Sequence, residues 1–71
     1  MTTWKDEKTW LAARQGVLAE IRTWEQAPWI RAGGHTYSGS EKDEYIGKKL
    51  RGRLARIEAA GDPAWIERLH A

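Results

Sequence analysis

Few residues in this chain are of a type and spacing that do chemistry. The two histidines, His35 and His70, stand apart, and neither has a second histidine or any cysteine at ligand spacing. A zinc site therefore has no donor set. Ser38 and Ser40 have no base near them in sequence and are explained by turn and cap chemistry. Glu41, Asp43 and Glu44 offer carboxylates, but they lack the alternating oxygen ligands of a calcium loop and suit the positive end of a helix. Gly33-Gly34 is too short to cradle a phosphate and has no P-loop lysine. The sequence predicts no catalytic residues, no metal and no cofactor, and hence no enzyme.

The positive charge is the more informative feature. Between residues 46 and 60 the bases are Lys48, Lys49, Arg51, Arg53 and Arg56, against Glu58 alone; elsewhere acids and bases nearly cancel. With Ile46 at the centre of an apolar helix face, Leu50, Leu54 and Ile57 fall on one side of it. Lys42, Lys49, Arg53 and Arg56 fall on the other at steps of seven, four and three, with Lys48 further round. Asp43, Glu44 and Glu58 lie mostly opposite. Such a stripe tracks phosphates without reading sequence, or pairs with carboxylates on a protein partner. A solvated face with no partner is the plain alternative.

Those side chains need elements to hold them. The 71 residues contain 41% hydrophobic and 31% charged residues and no cysteine, a composition of one small globular domain without disulfides. At this size the core is marginal. No apolar run approaches the ~20 residues of a membrane span, and the opening Met1-Thr2-Thr3-Trp4-Lys5-Asp6-Glu7-Lys8 has no apolar signal core. No membrane partner is expected.

Residues 9–26 read as a helix, because Trp10, Ala13, Val17, Ile21 and Trp24 recur at three- and four-residue spacing, flanked by Leu11 and Leu18. Pro28 ends it. Gly33-Gly34 between Trp29-Ile30-Arg31-Ala32 and His35-Thr36-Tyr37-Ser38 is a two-residue hairpin signal. Ser40 with Asp43 reads as the cap of a second helix carrying Ile46, Leu50, Leu54 and Ile57. Gly61 stops that helix. Asp62-Pro63 then caps a short apolar tail with Trp65, Ile66 and Leu69.

The expected fold is α+β: two antiparallel helices joined by a short β-hairpin (α-β-β-α) over residues 1–61, and a tail or short helix over 62–71. The core joins Trp10, Leu11, Val17, Leu18, Ile21 and Trp24 to Ile46, Leu50, Leu54 and Ile57, with Trp29, Ile30 and Tyr37 as its cap. Five tryptophans and no phenylalanine suit contact surfaces. Trp4 and Trp65 lie outside the two main patterns and either fold back on the core or anchor a neighbouring subunit. Arg14 falls inside the apolar stripe, lifting its guanidinium to solvent or pairing with a second subunit. The tail face of Trp65, Ile66 and Leu69 is expected to order mainly against a partner.

Helix, hairpin, basic helix and apolar tail within this length resemble the head-completion proteins of tailed phages related to the lambda W protein. The likeness lies in residues 9–61. It is carried by the Trp10-Leu11-Ala12-Ala13-Arg14 opening, the Gly33-Gly34-His35-Thr36-Tyr37 return, and Ile46-Gly47-Lys48-Lys49-Leu50-Arg51-Gly52-Arg53-Leu54-Ala55-Arg56-Ile57-Glu58. The chain departs from that pattern in its shorter hairpin, in Pro28 before it and in the added Trp4 segment. The resemblance implies a virion protein, a head–tail connector subunit. Copies of it would form a ring below the portal protein, help retain packaged DNA by non-specific phosphate contact, and dock the next connector or tail protein. A small nucleic-acid-binding regulator using the basic helix is the alternative function. A third is an inhibitor that binds a host protein through the tryptophans.

Overall fold

The computed structural model describes residues 4–70. In chain order these form α1 (Glu7–Gln26), β1 (Trp29–Ala32), β2 (His35–Ser38), α2 (Gly39–Tyr45), a π-helical turn (Ile46–Leu50), α3 (Arg51–Ala59) and α4 (Pro63–Leu69). This is the expected α-β-β-α order, with the tail folded into a helix. Among the described residues no helix is long and apolar enough to cross a membrane.

Helix α1 starts at Glu7, two residues before the expected start at residue 9, because Asp6 caps it. Asp6 is extended, and its Oδ1 accepts a hydrogen bond from the Thr9 amide at 2.7 Å. That bond satisfies one of the unpaired donors of the first turn. Because it favours the ionised carboxylate, it holds Asp6 below its ordinary pKa of 3.8. A carboxyl whose pKa is depressed by folding stabilises the fold above its unfolded pKa. The contribution is lost as pH falls through the folded value. Asp6→Asn keeps an acceptor but does not titrate. Melting curves across pH values around and below 3.8 should therefore show a smaller acid-dependent loss in this variant than in the wild type. Parallel losses in the two proteins would show that the cap charge contributes nothing.

At the other end, the Ala27 amide donates to the Thr23 carbonyl at 3.2 Å, and Ala27 itself is extended, as a residue before proline must be. The hairpin follows in the register Trp29↔Ser38, Ile30↔Tyr37, Arg31↔Thr36, Ala32↔His35. Gly33 and Gly34 have φ of 58° and 77°, the paired positive values that a two-residue turn needs to match strand twist. Alternation along β1 and β2 turns Ile30, Ala32 and Tyr37 onto the helices. It turns Trp29 outward, leaving it 58% exposed. Trp29 is therefore not part of the cap expected over the core: neighbours in a strand cannot share a face, and Ile30 takes the inner one.

The second helix opens differently from the expected Ser40 cap. Its N-cap is Ser38, which makes no side-chain capping bond, and Gly39 turns the corner with φ of 54°. The strand thus feeds directly into the helix, and Ser40 lies in the first turn. From there α2, the π turn and α3 run on without leaving helical dihedrals at the joints. The inward residues Lys42, Ile46, Leu50 and Leu54 are spaced by fours. At about 100° per residue each such step overshoots a full turn by roughly 40°. A π turn takes up one extra residue. Ile46 and Leu50, the first and last residues of the turn, are both buried, at 5% and 0% exposure.

Val17, Ile21 and Trp24 meet Ile46 and Leu50 in the core, and Ile30, Ala32, Tyr37, Tyr45, Leu54 and Ile57 pack around them half-buried. Leu11 and Leu18 are only half-buried and lie outside that cluster. Both sit about 100–120° around the helix from Val17, too far to reach α3. Tyr45, which the apolar pattern did not include, stacks on Trp24 with ring centroids 4.2 Å apart and planes within 6°.

A second packing centre forms around Trp10. Its ring is fully buried, its Nε1 donates to the Ile57 carbonyl at 2.6 Å, and its centroid lies 5.6 Å from that of Trp65. Gly61 makes room for it. A Cβ at position 61 would stand 2.5 Å from Cε2 and 2.7 Å from Cζ2 of the indole. α3 ends at Ala59 with Ala60 as its cap, so Gly61 stands directly after the helix; its φ is not positive, and the glycine is there for close approach. Beyond it, Asp62 accepts from the Ala64 amide at 2.8 Å and Pro63 opens α4, as the sequence predicts.

Candidate functional site

Two basic residues of the second helix meet acids of α1, and one acid of α3 meets a base of α1. Arg51 Nη2 donates to Glu25 at 3.1 Å, Arg53 Nη1 to Glu20 at 3.3 Å, and Arg14 Nε to Glu58 at 3.0 Å. As the chain descends α3 from 51 to 58, the partners ascend α1 from 25 to 14. The three ion pairs thus mark the antiparallel register of the two helices. The segregation of acids from bases on the second helix is partly answered by α1.

Only part of the predicted stripe remains open. Lys42 turns inward to donate to the Ala27 carbonyl, closing the junction between α1 and the hairpin. Lys48 pairs with Glu44 one turn away at 2.9 Å. Arg53 is taken by Glu20. Lys49 and Arg56 are exposed and make no ion pair or hydrogen bond among the described residues. Lys49 borders a hollow of about 260 Å³ together with Tyr37, Glu41, Glu44, Tyr45 and Lys48. Two open cations remain where five were expected.

Reversing one of these charges tests the arrangement. Arg53→Glu should lose the pair and set like charges together, whereas Lys49→Glu has no pair to lose. Exposed ion pairs contribute about 0.2–1 kcal/mol, so a difference of that size is expected between the two variants in urea denaturation. Adding Glu20→Arg to Arg53→Glu should recover most of it. Equal stabilities for Arg53→Glu and Lys49→Glu would mean that the cross-helix pair is idle.

The residues expected at subunit contacts are placed as follows. Arg14 lies inside the chain's own fold, its side chain 24% exposed and paired with Glu58, where an intersubunit ion pair or a solvent-lifted guanidinium was expected. Trp65 folds back on Trp10. Arg68 of α4 reaches Glu7 at 2.7 Å. Helix α4 is tied to the rest of the fold by these contacts, against the expectation that it orders mainly on a partner. Ile66 and Leu69 are half-buried and line, with Glu58, Ala59 and His70, a shallow hollow of about 280 Å³. Trp4 is half-buried.

A surface the sequence reading passed over lies on the hairpin. Trp29 and Arg31 stand on its outward face, opposite the small hydroxyl residues Ser38 and Thr36. With Pro28 they line an open hollow of about 470 Å³. The signal was available in the strict alternation of Trp29, Ile30, Arg31 and Ala32. On the other side His35 Nε2 lies 2.8 Å from Glu41 Oε1 and its ring meets Tyr37 edge-on, which fastens the hairpin to α2.

No group of three or more His, Cys, Asp or Glu residues is gathered for a metal among the described residues. The surfaces present are suited to docking: an exposed indole beside a guanidinium, and two cations on the second helix. Comparison with protein-family models, curated proteins and solved structures found no match to this chain.

Proposed function

We propose that this chain is a structural subunit of the head–tail connector of a tailed phage. In this role it completes the head after packaging, forms a ring with copies of itself beneath the portal protein, and offers a surface to the next connector or tail protein. The observation that carries the reading is the order of elements: a long helix, a Gly-Gly hairpin and an antiparallel basic helix within about sixty residues. That is the architecture implied by the resemblance to head-completion proteins related to the lambda W protein. The open cations Lys49 and Arg56 support contact with packaged DNA. Such contact is weak for one copy and gains strength by repetition around a ring. The regulator reading draws on the same helix, and the engagement of Lys42, Lys48 and Arg53 within the chain leaves it less to work with.

The test is made in particles. A lysate lacking this chain should accumulate DNA-filled heads and free tails that do not join, and should lose packaged DNA on storage. Purified chain added back should restore joining. Heads and tails that join normally without it would overturn the proposal. Charge reversal at Lys49 and Arg56 should leave joining intact while DNA retention falls.

A further inference from the structure

We infer that the outward face of the hairpin is a docking surface for an acidic segment of a protein partner, with a carboxylate on Arg31 and an apolar side chain against the Trp29 indole. Among the described residues Trp29 is the exposed large hydrophobic, at 58%, whereas Trp10 and Trp24 are at 0% and 5%. Nothing in the fold requires an indole there, since Ile30 and Tyr37 already cover the core from the hairpin. Tryptophan and arginine are the side chains that most often anchor protein interfaces. Their cross-strand neighbours Ser38 and Thr36 are small, so the two anchors rise over a hollow with hydroxyl groups at its floor.

Charge selects the partner. Residues 27–40 contain no Asp or Glu, and Arg31 makes no ion pair among the described residues. Arg14, Arg51, Arg53 and Arg68 are all paired within the chain. The hairpin face is thus positive and unanswered, and an anionic group completes it. A guanidinium presents a planar fork that fits a carboxylate through two parallel hydrogen bonds. A nucleic acid would also bring negative charge and could stack a base on Trp29. However, this face carries one cation, and a single phosphate contact adds a salt slope of only about −0.9 and little affinity. An acidic protein segment with a neighbouring apolar residue uses both anchors at once.

The experiment uses the isolated full chain and is independent of particle assembly, so its outcome is separate from that of the connector proposal. The chain is panned against a displayed library of random peptides, with Trp29→Ser and Arg31→Glu in parallel. Both side chains are exposed, and thermal melts of the variants should match the wild type. Peptides enriched on the wild type should carry Asp or Glu beside a bulky apolar residue. Each variant should weaken them by at least about tenfold, as removal of an interface anchor does. Arg31→Glu should select lysine- or arginine-bearing peptides in their place. The inference is overturned by no enrichment, by enriched peptides without acids, or by peptides that bind both variants as well as the wild type. Oligothymidylate bound more tightly than any peptide, and released by the same two substitutions, would make the face a nucleic-acid site instead.

Discussion

Trp10→Ala is expected to leave much of the chain unfolded at room temperature. Chains of this size are stabilised by about 0.05–0.15 kcal/mol per residue, or roughly 4–11 kcal/mol for 71 residues. Truncating a buried tryptophan costs about 3–5 kcal/mol. Here the loss goes further. The Ile57 carbonyl loses its donor, Trp65 loses the ring it rests on, and the space kept open by Gly61 has nothing to fill it. That bond is only partly buried, so its loss adds about 0.5–1.5 kcal/mol, the net value of an ordinary hydrogen bond. Trp10→Phe separates the contributions, because it retains a ring while removing the indole donor, and it should fall between the wild type and Trp10→Ala. Urea denaturation followed by circular dichroism measures both. A Trp10→Ala protein within about 1 kcal/mol of wild type would show that α4 and the end of α3 do not depend on this ring.

Leu50→Ala is expected to cost about 2–5 kcal/mol, the range for buried leucines whose surroundings cannot collapse. Leu50 has no exposed surface and sits at the end of the π turn, facing Val17, Ile21 and Trp24 of α1. Leu18→Ala is the matched control: it removes the same atoms from a half-buried position beside Arg14 and Arg22 and should cost far less. Equal costs at the two positions would mean that the inner face of the second helix has been assigned to the wrong residues.

How much of this was legible in the sequence depended on the range of the physics. The hairpin was, because the Gly33-Gly34 turn is decided by dihedrals that only its own two residues supply. The Asp62-Pro63 start of α4 was equally local. The extent of the second helix was visible in its apolar steps, but the π turn within it was not, because steps of four also fit an ordinary α-helix, as Val17 and Ile21 do in α1. Trp29 was misplaced by composition: a tryptophan invites burial, and the alternation with Ile30 argues otherwise. The pairing of Arg51 and Arg53 with Glu25 and Glu20 was out of reach. A charge pattern along one helix does not say which residues of another helix stand opposite it. Gly61 fell to the same difficulty, since the reason for a glycine there is an indole that comes from position 10.

The distribution of tryptophans makes the protein its own set of optical probes. Trp10 and Trp24 are sealed from solvent and Trp29 stands clear of it. An ionic quencher such as iodide therefore reaches the Trp29 indole more freely than the half-buried Trp4 and Trp65 and leaves Trp10 and Trp24 bright, and anything that covers the hairpin face weakens the Trp29 share of that quenching without disturbing the fold. Trp10 and Trp65 are near enough for their transitions to mix, giving a far-ultraviolet circular dichroism band that exists only while α4 is docked. Trp24, stacked on Tyr45, reports the opposite end of the α1 packing face. One unlabelled sample thus distinguishes three events by wavelength and accessibility: release of the last helix, loosening of the core beneath the hairpin, and arrival of a partner.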